Sequence, residues 1–107
     1  MVFSVKLFRD DNVVIDGSFS GSLNNNCINY NDGVNNIFDL NKLLLERISD
    51  DYKIVFDFLN SNCDYITDGM SVNMMIEVID KRICSNSLFF KYKVIDTGNI
   101  YEYSVSW

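Results

Sequence analysis

Apolar and polar residues alternate along most of this chain, and this alternation constrains the fold more than any other sequence feature. Successive side chains of a β-strand point to opposite faces, so the alternation predicts strands with one buried face. Asn, Asp and Gly separate the alternating segments and favour tight turns. The alternating segments are 3–7, 13–19, 52–58, 70–78, 88–94 and 101–107, with a shorter candidate strand at 63–67. We therefore expect a mainly antiparallel β-sheet.

One segment, 37–49, has a different spacing. Its apolar residues follow a three-and-four rhythm that would place Leu40, Leu44 and Ile48 on one face of a helix. Asp39 or Asn36 can cap the start of this helix, since a side-chain oxygen there would accept hydrogen bonds from the first free backbone N–H groups. The spacing predicts one α-helix at about residues 37–49.

The segment 20–36 is rich in Asn, Gly and Ser, which compete for backbone hydrogen bonds, so it is expected to be mostly loop. Within it, 27–30 can form a short strand before a tight turn at 31–33. These elements together predict an α+β fold of about six or seven mainly antiparallel strands, with the helix packed on one face. A chain of 107 residues is expected to form a single domain, 1–107.

Histidine is absent from the chain, which removes the usual base of Ser and Cys nucleophiles and the commonest metal ligand. Cys27, Cys63 and Cys84 form no C-x-x-C pair, so structural zinc is not expected. No EF-hand loop and no glycine-rich phosphate motif is present. We expect no catalytic residues, no cofactor and no metal site.

The balance of 9 basic against 15 acidic residues gives a net charge of −6. Phosphate binding needs a basic patch, so nucleic acid is not an expected partner. The longest apolar runs are far below the roughly 20 residues that span a bilayer, and no secretory signal is visible, so no membrane contact is expected. These features favour a cytoplasmic protein with reduced cysteines, and one disulfide with a leftover thiol is the alternative.

The acidic surface favours a basic protein as partner, because opposite charge speeds their encounter. The carboxylates would occupy a basic groove in place of phosphates, and tyrosines would anchor the contact. The best candidates for this contact lie between residues 50 and 68, directly after the predicted helix. The predicted partner-binding residues are Asp50, Asp51, Tyr52, Asp57, Asp64, Tyr65 and Asp68.

This profile resembles two kinds of protein in type, although no motif carries the resemblance. One kind is the immunity protein that neutralises a bacterial toxin, often a nuclease. The other is the phage-encoded inhibitor of a host defence nuclease such as a CRISPR effector. The resemblance implies a stoichiometric inhibitor of a basic bacterial enzyme, with an immunity protein against a toxin nuclease preferred and an anti-CRISPR type of inhibitor as the alternative.

Two other classes remain open. An exposed strand such as 101–107 would let the chain assemble with itself or another protein through backbone hydrogen bonds, so the sequence leaves monomer and homodimer unresolved. An enzyme is the third class, and without histidine its activity would depend on strongly perturbed carboxylates or thiols.

Overall fold

The computed structural model describes residues 1–107, and its ten β-strands form a closed antiparallel barrel without a helix. The strands are β1 (Val2–Arg9), β2 (Asn12–Asn24), β3 (Cys27–Asn31), β4 (Asn35–Asp39), β5 (Leu44–Ile48), β6 (Lys53–Asp57), β7 (Asn62–Thr67), β8 (Met70–Ile83), β9 (Ser87–Val94) and β10 (Ile100–Ser106). Each strand pairs with its neighbours in sequence, and β1 pairs with β10 to close the barrel. Short turns can make every connection, because all neighbouring strands are antiparallel.

The turns define two ends of the barrel. The mouth end carries the turns 10–11, 32–34, 49–52, 68–69 and 95–99, and the base end carries 25–26, 40–43, 58–61 and 84–86. The two-residue turns 10–11, 25–26 and 68–69 have positive φ at both residues. Asp, Asn and Gly occupy those positions, which they tolerate better than other residues, and such turns match the twist of a hairpin.

Aromatic side chains fill the base half of the barrel. Phe58 belongs to the turn 58–61 but is only 3% exposed, and its ring stacks on that of Phe90 with 4.3 Å between centroids. Phe38 lies 5.7 Å from Phe90, and Trp107 lies 6.0 Å from Phe3. Burying each of these phenylalanines contributes about 1.5–3 kcal/mol. The base half is therefore closed by packed rings.

Gly21 in β2 allows close approach of the neighbouring strand β3. A Cβ atom at this position would collide with the carbonyl oxygen of Asn29 and would lie 3.0 Å from atoms of Phe3 and Tyr30. Only glycine fits here without displacing the backbone.

The predicted helix at 37–49 is wrong, and with it the α+β fold class. These residues form the end of β4, the turn 40–43 and β5, in which Phe38 pairs directly with Leu45. The Asp39 carboxylate accepts hydrogen bonds from the backbone N–H groups of Asn41 and Lys42 at 2.9 and 3.0 Å, but it caps a hairpin turn instead of a helix. Leu43 has a φ of 52°, which no α-helix accommodates. Two alternating strands joined by a four-residue turn thus produced the same three-and-four spacing of apolar residues that a helix would show.

The expected loop at 20–36 and the expected count of six or seven strands are also wrong. Strand β2 continues to Asn24, and β3 and β4 follow with short turns between them. The Ser and Asn residues of β2 lie at exposed positions while Phe19 and Leu23 pack against the core, so pairing on both sides overrides their turn preference. The short strand predicted at 27–30, the turn between the segments 63–67 and 70–78, and strands over 3–7, 13–19, 88–94 and most of 101–107 are confirmed.

The last strand has no free edge. Strand β10 is hydrogen-bonded to β1 on one side and to β9 on the other. The backbone groups that self-assembly through 101–107 would require are therefore already paired.

Candidate ligand cavity

A cavity of about 330 Å³ occupies the mouth half of the barrel. Its wall consists of 14 residues, of which 12 are hydrophobic. The wall includes aliphatic side chains such as Leu7, Ile54 and Met74, whereas the base half is filled by packed aromatic rings. Thr97 in the turn 95–99 and the half-exposed Val14 belong to the wall, so the cavity reaches the surface at the mouth end. The size lies at the lower end of the range for small-molecule sites.

The cavity differs from the other depressions of the surface. The largest of those, of about 420 Å³, lies beside Leu59 and Ile79 at the base end. Both side chains are exposed, at 60% and 46%, so this depression is open to solvent and encloses little. The cavity in the mouth half is the concave site whose wall comes from the inner face of the barrel.

One charged side chain, Arg47, lines the cavity. It lies directly opposite Asn36 in the pairing of β4 with β5. Its Nη1 donates hydrogen bonds to Asn36 Oδ1 at 2.8 Å and to Asp32 Oδ2 at 3.2 Å. Asn36 Nδ2 donates in turn to Asp32 Oδ1 at 2.9 Å. The side chain of Asp32 is 2% exposed, so its carboxylate neutralises the guanidinium out of contact with water.

Three tyrosines supply the other polar groups of the wall: Tyr92, Tyr101 and Tyr103. The hydroxyls of Tyr103 and Tyr30 share a buried hydrogen bond of 2.7 Å in which either can donate. Tyr92 is 4% exposed, stacks on Tyr101 at 5.3 Å between centroids, and takes part in no side-chain hydrogen bond. Burial raises the pKa of Tyr92 and of Tyr103, so both hydroxyls stay protonated and can donate at neutral pH.

Cys63 also lines the cavity and is 1% exposed. Burial, with a smaller contribution from the neighbouring Asp64 carboxylate, raises the pKa of its thiol to about 11. The thiolate is the nucleophilic form, so this thiol is almost entirely unreactive at neutral pH. All three cysteines are unpaired.

The mouth end is strongly acidic, since every turn there contains aspartate. The seven residues are Asp10, Asp11, Asp32, Asp50, Asp51, Asp68 and Asp96. At the base end, Asp39 and Asp57 each accept hydrogen bonds from the backbone N–H groups of their own turns. A molecule that approaches the cavity therefore passes a negative rim.

The structure brings together five of the seven predicted partner-binding residues. Asp50, Asp51, Tyr52, Tyr65 and Asp68 lie at the mouth end, where the rings of Tyr52 and Tyr65 stack at 5.7 Å between centroids. The hydroxyl of Thr67 donates to the backbone oxygen of Asp51 at 2.8 Å and so ties the turn 49–52 to the end of β7.

The other two predicted residues lie elsewhere. Asp57 is at the base end, where its carboxylate accepts hydrogen bonds from the side-chain amide of Asn60 and from the backbone N–H groups of Asn60 and Leu59. Together these bonds outweigh desolvation by burial and lower the pKa of Asp57. Asp64 lies within β7 and accepts a hydrogen bond of 2.7 Å from Asn73 on β8. Neither shares the surface that the mouth-end residues form.

Sequence reasoning missed the cavity residues. Arg47 falls within the helix predicted at 37–49, whereas in β5 it follows Leu45 on the inner face. The sequence does contain one indication: Arg47 stands two positions after the apolar Leu45, so in a strand both side chains point to the same face. This indication is visible only once the segment is recognised as a strand.

No protein-family model, curated protein or solved structure matches this chain. No cluster of three or more potential metal ligands is present. The fold has no helix of the length and hydropathy that a membrane span requires.

Proposed function

We propose that this chain is a noncatalytic binding protein whose barrel encloses a small, mainly apolar molecule. The observation that carries the proposal is the 330 Å³ apolar cavity that opens at the mouth end while the base half is filled. At about 30 Å³ per water-sized atom, this volume suits a ligand of roughly eleven non-hydrogen atoms.

The expected affinity follows from the buried surface of such a ligand. A ten-carbon chain gains about 0.8 kcal/mol per buried CH₂ group, or about 8 kcal/mol in total. Association costs at least about 4 kcal/mol in lost translational and rotational freedom. The net gain is then at most about 4 kcal/mol, so we expect dissociation constants in the millimolar range.

The test uses the neutral dye 1-aminoanthracene, whose fluorescence rises in apolar surroundings and is excited beyond the absorption of tryptophan. Ile54→Trp replaces an aliphatic side chain of the cavity wall by a larger indole ring that fills part of the cavity. Val13→Trp, at a position 60% exposed, is the matched control. Thermal unfolding establishes that both variants fold. We expect the wild type and the control to bind the dye and Ile54→Trp to bind at least tenfold more weakly. Absence of binding to the wild type, or equal binding to Ile54→Trp, would overturn the proposal.

A second candidate function is stoichiometric inhibition of a basic enzyme such as a toxin nuclease or a defence nuclease. The observation that favours it is the acidic mouth end, where the stacked rings of Tyr52 and Tyr65 lie beside three predicted partner-binding aspartates. Aromatic anchors surrounded by charges are typical of protein interfaces. The carboxylates would take the place of phosphates in the enzyme's basic groove.

The test of this second function compares two triple charge reversals. Asp50, Asp51 and Asp68 are replaced by Lys at the mouth end, and the control variant carries the same three changes at strand positions Asp16, Glu77 and Asp80. Both variants change the net charge by the same amount. A basic enzyme that is inhibited by the wild type and the control but not by the mouth-end variant would support the proposal. Equal inhibition by all three proteins would exclude the mouth end as the binding surface.

A further inference from the structure

We infer that the cavity selects a neutral amphiphile, one with a hydroxyl or carbonyl oxygen at its polar end, over a carboxylate or an ammonium of the same length. This inference rests on the proposed binding of an apolar molecule and concerns the chemistry of that molecule's polar end. Three features of the cavity carry it: its free donors, its internal charge balance and its rim.

The free donors are on Arg47 and Tyr92. A guanidinium has five N–H donors, and both side-chain hydrogen bonds of Arg47 leave from Nη1, so Nε and Nη2 are unused. The hydroxyl of Tyr92 has no partner although the residue is 96% buried. Both residues line the cavity, and no fully enclosed side-chain nitrogen or oxygen lacks a partner, so these unused groups are accessible and not sealed inside the protein. They can donate to an oxygen atom of a ligand.

The charge balance disfavours a carboxylate. The positive charge of Arg47 is already neutralised by Asp32 at 3.2 Å, so a carboxylate ligand would leave one net negative charge in an apolar site. The other six aspartates of the mouth end, all except the buried and paired Asp32, would also repel it during entry.

An ammonium group meets the opposite difficulty. The rim attracts it, but the unused donors inside the cavity belong to a cation and to a hydroxyl, and neither nitrogen of Arg47 can accept a hydrogen bond. A buried ammonium would therefore lose its hydration without a full set of acceptors. A neutral oxygen accepts from both donors and adds no charge.

The experiment measures displacement of 1-aminoanthracene at pH 7.5 by 1-decanol, decanoate and decylammonium, which share a ten-carbon chain. We expect 1-decanol to bind at least tenfold more tightly than either ion. Equal or tighter binding of decanoate or decylammonium would overturn this inference while the proposed function stands. Failure of the dye and of all three compounds to bind would overturn the proposed function itself.

Two substitutions test the assigned groups. Asp32→Asn leaves the charge of Arg47 unbalanced, so the ratio of decanoate to 1-decanol affinity should rise at least tenfold. Asp16→Asn makes the same charge change on the exposed outer face of β2, away from the cavity and its rim, and should leave that ratio within about threefold, since exposed charges are screened by salt. If Asp32→Asn does not fold, Tyr92→Phe provides the test, because it removes one donor and should weaken 1-decanol binding about fivefold. An unchanged ratio in folded Asp32→Asn, or unchanged 1-decanol binding in Tyr92→Phe, would refute the assignment.

Discussion

The hydrogen bond between Tyr30 and Tyr103 can be tested with a double-mutant cycle. The two hydroxyls are 2.7 Å apart, the residues are 1% and 3% exposed, and neither hydroxyl has another partner among the side-chain hydrogen bonds. Tyr30→Phe or Tyr103→Phe alone removes the bond and leaves the remaining hydroxyl without a partner. We expect each single change to lower the free energy of unfolding by about 1–3 kcal/mol.

The double variant removes both hydroxyls and leaves no unpaired group. Its loss of unfolding free energy should therefore be close to that of one single variant, which corresponds to a coupling energy of about 1–3 kcal/mol. Each kcal/mol lowers the Tm of a domain of this size by roughly 4–8 °C. The difference between additive and coupled losses is thus well within measurement.

The assay is urea unfolding at pH 7.5, followed by the fluorescence of Trp107, the only tryptophan, which packs against Phe3. Tyr52→Phe, whose hydroxyl makes no side-chain hydrogen bond, is the control and should change stability by less than about 0.5 kcal/mol. The reasoning would be refuted if the double variant lost as much unfolding free energy as the two single variants together, to within about 0.5 kcal/mol.

Three further predictions concern pH, thiol reactivity and a glycine. Burial raises the pKa of Tyr30 to about 12, so its tyrosinate forms more readily in the unfolded chain. Stability should hold below pH 10; between pH 10 and 12 Tyr30 alone should lower it by about 2–3 kcal/mol, and the raised pKa of Tyr92 and of Tyr103 should add to this fall. Urea unfolding across this range measures the fall, and constant stability up to pH 12 would contradict it. A thiol-specific disulfide reagent at pH 7.5 should label exposed Cys84 at least a hundredfold faster than Cys63, as resolved by peptide mass mapping; equal rates would show that Cys63 is accessible. Gly21→Ala should lose about 3 kcal/mol or more by overpacking, whereas Gly69→Ala, with φ of 75° and no atom within 4 Å, should lose only about 1–2 kcal/mol of backbone strain; similar losses in thermal unfolding would refute this contrast.

The sequence by itself determined most strands and the tight turns. Period-two alternation is a local property, so 88–94 and 101–107 could be read as strands without knowledge of their partners. The turn at 68–69 followed from Asp and Gly, which tolerate positive φ. The sequence predicted the acidic mouth end only in part. The predicted partner-binding surface combined the turns 49–52 and 68–69, which lie at the mouth end, with Asp57, which lies at the opposite end.

Only the tertiary structure decided between helix and hairpin at 37–49, the closure of the barrel and the cavity. Asp39 can accept the same short-range hydrogen bonds at the start of a helix or in a turn, so the choice depended on pairing of Phe38 with Leu45 and of β5 with β6. Closure joins β1 to β10 from opposite ends of the chain, a contact for which alternation holds no information. The cavity depends on which inward side chains face one another across the barrel, and the internal charge of Arg47 is neutralised by Asp32, which lies 15 residues earlier in the chain. Local patterns specify which residues face inward, but the space between those residues is set by contacts across the whole fold.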